Sequence, residues 1–118
     1  MSYSPTIDPS LTFHLVTAAG TNATIIKNTP GTVHGWYIYN SNSSARKINF
    51  HNSALTPTAG VTAVHSSLVI PPLSGANVPF PNGINFSAGI GITTVAGLAD
   101  GETLPVALND LIINIYYR

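Results

Sequence analysis

Val33-His-Gly-Trp-Tyr-Ile-Tyr-Asn40, Ser41-Asn-Ser-Ser44 and Ala45-Arg-Lys-Ile-Asn-Phe-His51 follow one another without a break. The first segment is dense in aromatic and β-branched residues, whose bulk close to the backbone suits a pleated, half-buried strand better than a helix. Apolar side chains fall on both of its faces. It is therefore expected in the middle of a sheet, with one face in the core and the other against a loop or another chain. The Asn/Ser run is a polar turn. Residues 45–51 then return, with Ile48 and Phe50 facing in and Lys47, Asn49 and His51 facing out at the strand period of two. The pair reads as a hairpin.

The same vocabulary extends in both directions. Residues 11–18 alternate, with Leu11, Phe13 and Leu15 opposite Thr12 and His14. Residues 24–27 form a short strand ending at Asn28-Thr-Pro-Gly31, where Pro30 and Gly31 suit the central positions of a type II turn. Residues 52–62 are loop. Residues 64–70 alternate and stop at Pro71-Pro72. Two segments, 76–80 and 83–87, flank a turn at Pro81-Asn82-Gly83. Residues 89–95 are laced with glycine, which signals a bulge or a close backbone approach. Residues 99–105 are loop. Residues 109–117 close the chain, with Leu111, Ile113, Ile115 and Tyr117 on one face and Ile112, Asn114 and Tyr116 on the other. Nine prolines and ten glycines leave no window long enough for a helix. Eight or nine short strands at regular spacing predict an all-β fold: a single-domain antiparallel β-sandwich over residues 11–118, jelly-roll-like, with an Ig-like topology as the alternative. Residues 1–10, with Pro5 and Pro9, read as an extended N-terminal arm.

Charge is scarce. Four basic and four acidic residues serve 118 positions, the net charge is zero and cysteine is absent, where roughly a quarter of an ordinary domain is charged. The remaining polarity is mostly Asn, Ser and Thr, which are cheaper to desolvate than ions and are readily re-paired by hydrogen bonds. Such a surface suits a chain covered by copies of itself or by a partner. Phosphate-mediated binding to nucleic acid and binding to an anionic membrane both need a basic stripe that is missing. Residues 1–9 carry no signal peptide and no apolar run approaches a membrane span, so the expected site of synthesis is the cytoplasm without export by that route.

Catalytic readings are poor in material. Asp100 and Glu102 flank Gly101 in a loop and read as a solvated turn rather than a catalytic or metal-binding pair. His14, His34, His51 and His65 contain no i, i+2 pair of the kind that sets two metal ligands on one strand face. Three of them oppose an apolar alternation and read as outward or interface residues. No nucleophile motif or phosphate loop is present. Trp36, Tyr37 and Tyr39 can stack a sugar or a base, although packing is the commoner use of such residues. Neither enzymatic activity nor a cofactor is expected.

Several stretches together resemble small tailed-phage structural proteins. They are Val33 to Asn42 followed by Ala45 to Asn52; Asn22-Ala-Thr24 with Pro30-Gly31 ahead of the aromatic strand; Leu68-Val-Ile-Pro71 with Phe80-Pro-Asn-Gly-Ile-Asn-Phe-Ser-Ala-Gly-Ile90; and the end, Asn109-Asp-Leu-Ile-Ile-Asn-Ile-Tyr-Tyr-Arg118. The resemblance implies a virion component made in the host cytoplasm, namely a head decoration (cement) protein on the outside of the capsid. It would form a homotrimer and bind the major capsid protein, without nucleic acid or membrane. The contact residues expected on that reading are Trp36, Tyr37 and Tyr39 for packing, Arg46 and Lys47 as paired basic contacts, Tyr116, and Arg118 pinning the C-terminus. The alternative is a tail, baseplate or fibre module that binds a glycan through exposed tyrosines with Asn or Asp partners. A cupin-type metalloenzyme is the third reading.

Overall fold

A computed structural model describes residues 11–118; the arm expected over residues 1–10 lies outside the described residues. Eight strands follow one another: β1 (Leu11–Val16), β2 (Thr24–Lys27), β3 (Gly31–Asn40), β4 (Arg46–Asn52), β5 (Ser66–Ile70), β6 (Ser74–Phe86), β7 (Ile90–Val95) and β8 (Leu111–Tyr117). One sheet has the order β1-β8-β3-β6 and the other β2-β7-β4-β5. All pairings are antiparallel. The pairs nest, first strand with last and inward to β4 with β5. The chain is thus one long hairpin rolled into two layers, a jelly roll, and the Ig-like alternative is set aside.

Period-two patterning builds both inner faces. In β8, Leu111, Ile113 and Ile115 are fully buried while Ile112 and Tyr116 face outward. β3 lies between β8 and β6, as its two apolar faces require, and sends Val33, Trp36 and Ile38 inward. Ile48 and Phe50 of β4, Phe86 of β6, and Ile90 and Ile92 of β7 complete the core. The irregularity anticipated in the glycine-laced segment is a register shift between β2 and β7 at Ile25 and Lys27.

Three local expectations are corrected. First, β3 and β4 do not form a hairpin but lie in different sheets. Both strands carry large inward side chains, and these pack face to face across the sandwich rather than side by side. Asn40 shapes the crossover: its buried amide donates to the carbonyls of Ser44 (2.9 Å) and Ile70 (3.1 Å) and accepts from the Asn42 N–H (2.9 Å). Second, Pro81-Asn82-Gly83 does not divide two strands. β6 runs through it, and the register jumps from Ile84 opposite Val33 to Pro79 opposite Gly35. The surplus residues bulge beside His34, with Gly83 at φ 76°, a backbone that disfavours any side chain. Third, only Gly20, Gly60 and Gly83 have positive φ among the glycines, so Gly31 makes no type II turn. It opens β3 instead, at a point where a Cβ would run into the Arg118 carbonyl oxygen.

Candidate functional site

The two sheets differ in what covers their outer faces. Over β2-β7-β4-β5, the β4–β5 connection (residues 53–65) and the β7–β8 connection (residues 96–110) form a roof. They touch each other, because a Cβ on Gly60 would lie 2.6 Å from the Thr103 methyl. Lys47, Asn49 and His51 point away from the core as expected, yet all three are buried under the roof. The Lys47 ammonium donates to the Leu98 carbonyl (2.8 Å) and to Asp100 (2.7 Å). His51 engages the Ala63 carbonyl through Nδ1 (2.9 Å) and the Thr93 hydroxyl through Nε2 (2.8 Å). Asn49, 1% exposed, has no hydrogen-bond partner among the described residues for either amide atom. A strand-period reading misses this burial, because it distinguishes faces but does not see a loop folding back over one of them.

Arg46 is engaged within the chain as well. Its Nε donates to Asp110 (2.8 Å), whose carboxylate also accepts from the Asn42 amide (2.9 Å) and the Ala107 N–H (2.8 Å). Burial of Asp110 works against its ionisation, but the bonds from Arg46, Ala107 and Asn42 outweigh it and hold the carboxyl below its ordinary value. This cluster ties the β3–β4 crossover to the start of β8.

The outer face of β1-β8-β3-β6 has no such roof among the described residues. Register aligns its side chains in three cross-strand rows: Val16, Ile112, Tyr39 and Gly75; His14, Asn114, Tyr37 and Asn77; Thr12, Tyr116, Gly35 and Pro79. None of these positions is Lys, Arg, Asp or Glu. Tyr37 is 48% and Tyr116 38% exposed, while Tyr39 is half-buried. His14 Nδ1 and Asn114 Oδ1 are joined (2.8 Å), and the Asn114 amide donates to the Tyr37 carbonyl (3.3 Å).

The residues singled out from the sequence therefore disperse. Trp36 is core, stacked on Phe50 and edge-on to Phe80. Arg46 and Lys47 hold intramolecular ion pairs. Tyr37, Tyr39 and Tyr116 come together on the open face. Arg118 is pinned by its backbone, exchanging hydrogen bonds with Thr32 (2.9 and 3.0 Å). Asp100 and Glu102 diverge: the first meets Lys47, and the second accepts from the Thr103 and Leu104 N–H groups. His34 bonds the Thr32 hydroxyl (2.7 Å) and His65 the Asn85 carbonyl (2.8 Å). Among the described residues no three His, Asp or Glu side chains converge, and no pocket is enclosed. No family model, curated protein or solved structure matches this chain.

Large aliphatic side chains are also exposed on the connections between strands. Leu55 and Val61 are 79% and 80% exposed on the β4–β5 loop. Leu98, Leu104 and Leu108 are exposed on the β7–β8 loop, and Leu73 between β5 and β6. Leu73 is held at φ 50°, a left-handed backbone that costs a residue with a side chain about 1–2 kcal/mol.

Proposed function

We propose that this chain is a non-catalytic structural component of a phage particle: a decoration (cement) protein that assembles as a homotrimer on the outside of the head and clamps adjacent major capsid subunits. The observation that carries the reading is the set of large aliphatic side chains held out on the loops of a rigid sandwich whose surface has almost no charge. Covering one fully exposed Leu or Val contributes about 1.5–3 kcal/mol, and several together offset the entropy lost on association. The jelly roll supplies a stiff frame, so the loops arrive at a partner already ordered. Lys47 and Asp110 are buried, Arg46 is mostly buried, and all three are paired inside the chain, so a partner does not have to desolvate them.

Sedimentation of the free protein, followed by co-sedimentation with shells assembled from the cognate major capsid protein, tests this. A trimer that loads onto shells, and a Leu55→Ser/Val61→Ser variant that folds but loads poorly, are the expected results. A monomer that shells do not retain overturns the proposal.

A further inference from the structure

The open face of β1-β8-β3-β6 is a separate surface from the apolar loops. We propose that it is a shallow binding site for a neutral oligosaccharide, with Tyr37 and Tyr116 as stacking platforms and Asn77, Asn114 and His14 as the hydrogen-bonding groups around them.

Size bears on the occupant first. Three rows on four strands span about 20 Å by 20 Å at ordinary strand spacings, the footprint of a short oligomer lying across the sheet. Strand addition of a peptide would use the edge strands β1 and β6 rather than this face. Charge narrows it further. With no Lys or Arg in the three rows, a phosphate-bearing or carboxylate-bearing chain finds no counter-ion here, and with no Asp or Glu a cationic one finds none either.

What the face does offer fits sugar rings. Tyr37 and Tyr116 are diagonal neighbours on adjacent strands, about 7 Å apart at the backbone, within reach of neighbouring rings of one chain. Each presents an apolar ring with a polar tip, matching the apolar face and hydroxyl rim of a pyranose. Glycine stands beside two of the three tyrosines, Gly35 opposite Tyr116 and Gly75 opposite Tyr39. A Cβ at Gly75 would lie only 3.8 Å from the Tyr39 ring, so glycine there keeps the ring's flank open. Asn77 and Asn114 bracket Tyr37 in the middle row, and an amide donates and accepts at once, as adjacent sugar hydroxyls do. The His14–Asn114 bond holds one of these amides in place.

The test is titration of ¹⁵N-labelled protein with neutral hexasaccharides (an α-glucan, a β-glucan and a β-linked N-acetylglucosamine chain) and with a hyaluronan hexasaccharide as the charged control. At least one neutral chain is expected to shift the amide signals of Tyr37, Asn77, Asn114 and Tyr116 at millimolar concentration, and hyaluronan is not. Tyr37→Ala and Tyr116→Ala should each weaken binding about tenfold, whereas Tyr116→Phe, which keeps the ring and the fold, should retain it. Three results overturn the site: no neutral chain perturbs those signals, hyaluronan binds equally well, or the Tyr→Ala variants alter the sedimentation coefficient, which would make the face a contact between copies. None of these bears on loading onto shells, so the decoration reading stands or falls separately.

Discussion

Trp36 of β3 stacks on Phe50 of β4 across the sandwich, with ring centroids 5.4 Å apart and 26° from parallel. The two strands are consecutive in the chain but belong to opposite sheets, so this contact joins the layers at the centre of the core. Phe80 meets the same indole edge-on at 4.9 Å, and Phe86 continues the cluster beside Phe50.

Phe50→Ala should therefore cost about 3–5 kcal/mol, since it removes a buried ring and leaves a cavity between two rigid sheets. Trp36 is the only tryptophan, and its fluorescence reports the transition directly in a urea titration. A loss under about 1 kcal/mol would mean that the two layers do not depend on this contact.

Asp110 gives the acid-side behaviour a sign. Its folded carboxyl lies below the ordinary value of 3.8, so the unfolded chain takes up the proton first as pH falls. The stabilisation is complete above the unfolded value and is lost as pH drops through the folded one. Asp110→Asn should be less stable than the parent near neutrality, and the gap should narrow at about pH 3. Arg46→Ala should be worse than Asp110→Asn at neutral pH, because it strands a buried carboxylate. Urea midpoints at the two pH values measure both effects.

Asn49 has an unusual expectation attached to it. A buried amide without partners costs about 1–3 kcal/mol relative to a paired one, so Asn49→Leu, which keeps the same branched skeleton without polar atoms, should leave stability unchanged or raise it by about 1 kcal/mol. A clear loss in thermal or urea midpoint would show that the amide is satisfied in solution.

The roof latch is asymmetric. Lys47 is 2% exposed, while its partner Asp100 is 68% exposed on the side chain. Asp100→Ala should cost no more than about 0.2–1 kcal/mol, because water screens the lost contact, and the Leu98 carbonyl still accepts from the ammonium. Lys47→Ala removes the buried stem as well and should cost more, with faster hydrogen exchange across residues 96–105 as the local signature.

Much of the sandwich was legible in alternation alone. β2 and β8 lie where their patterns put them, and the inward sets of β4 and β8 are the expected ones. The same arithmetic misread Pro81-Asn82-Gly83, because a three-residue turn signal and a wide bulge share their composition; only the partner strand, with His34 and Thr32 pressed against Gly83, distinguishes them. Of the surface residues anticipated, the tyrosines did converge on one face. Lys47 and Arg46 were drawn inside by acids 53 and 64 positions away, pairings that no local window contains.

The order of amino acids by itself determined that this chain is all strand and nearly uncharged, and which side of most strands faces oil and which faces water. These properties follow from neighbouring residues, through side-chain size, backbone preference and a period of two. Which strands lie side by side, that one sheet is roofed while the other has no roof among the described residues, and that three tyrosines share a platform were decided only in three dimensions. They depend on register and loop closure between residues as far apart in the chain as Leu11 and Tyr117, where the free energy of packing two layers selects one arrangement among many with the same local pattern.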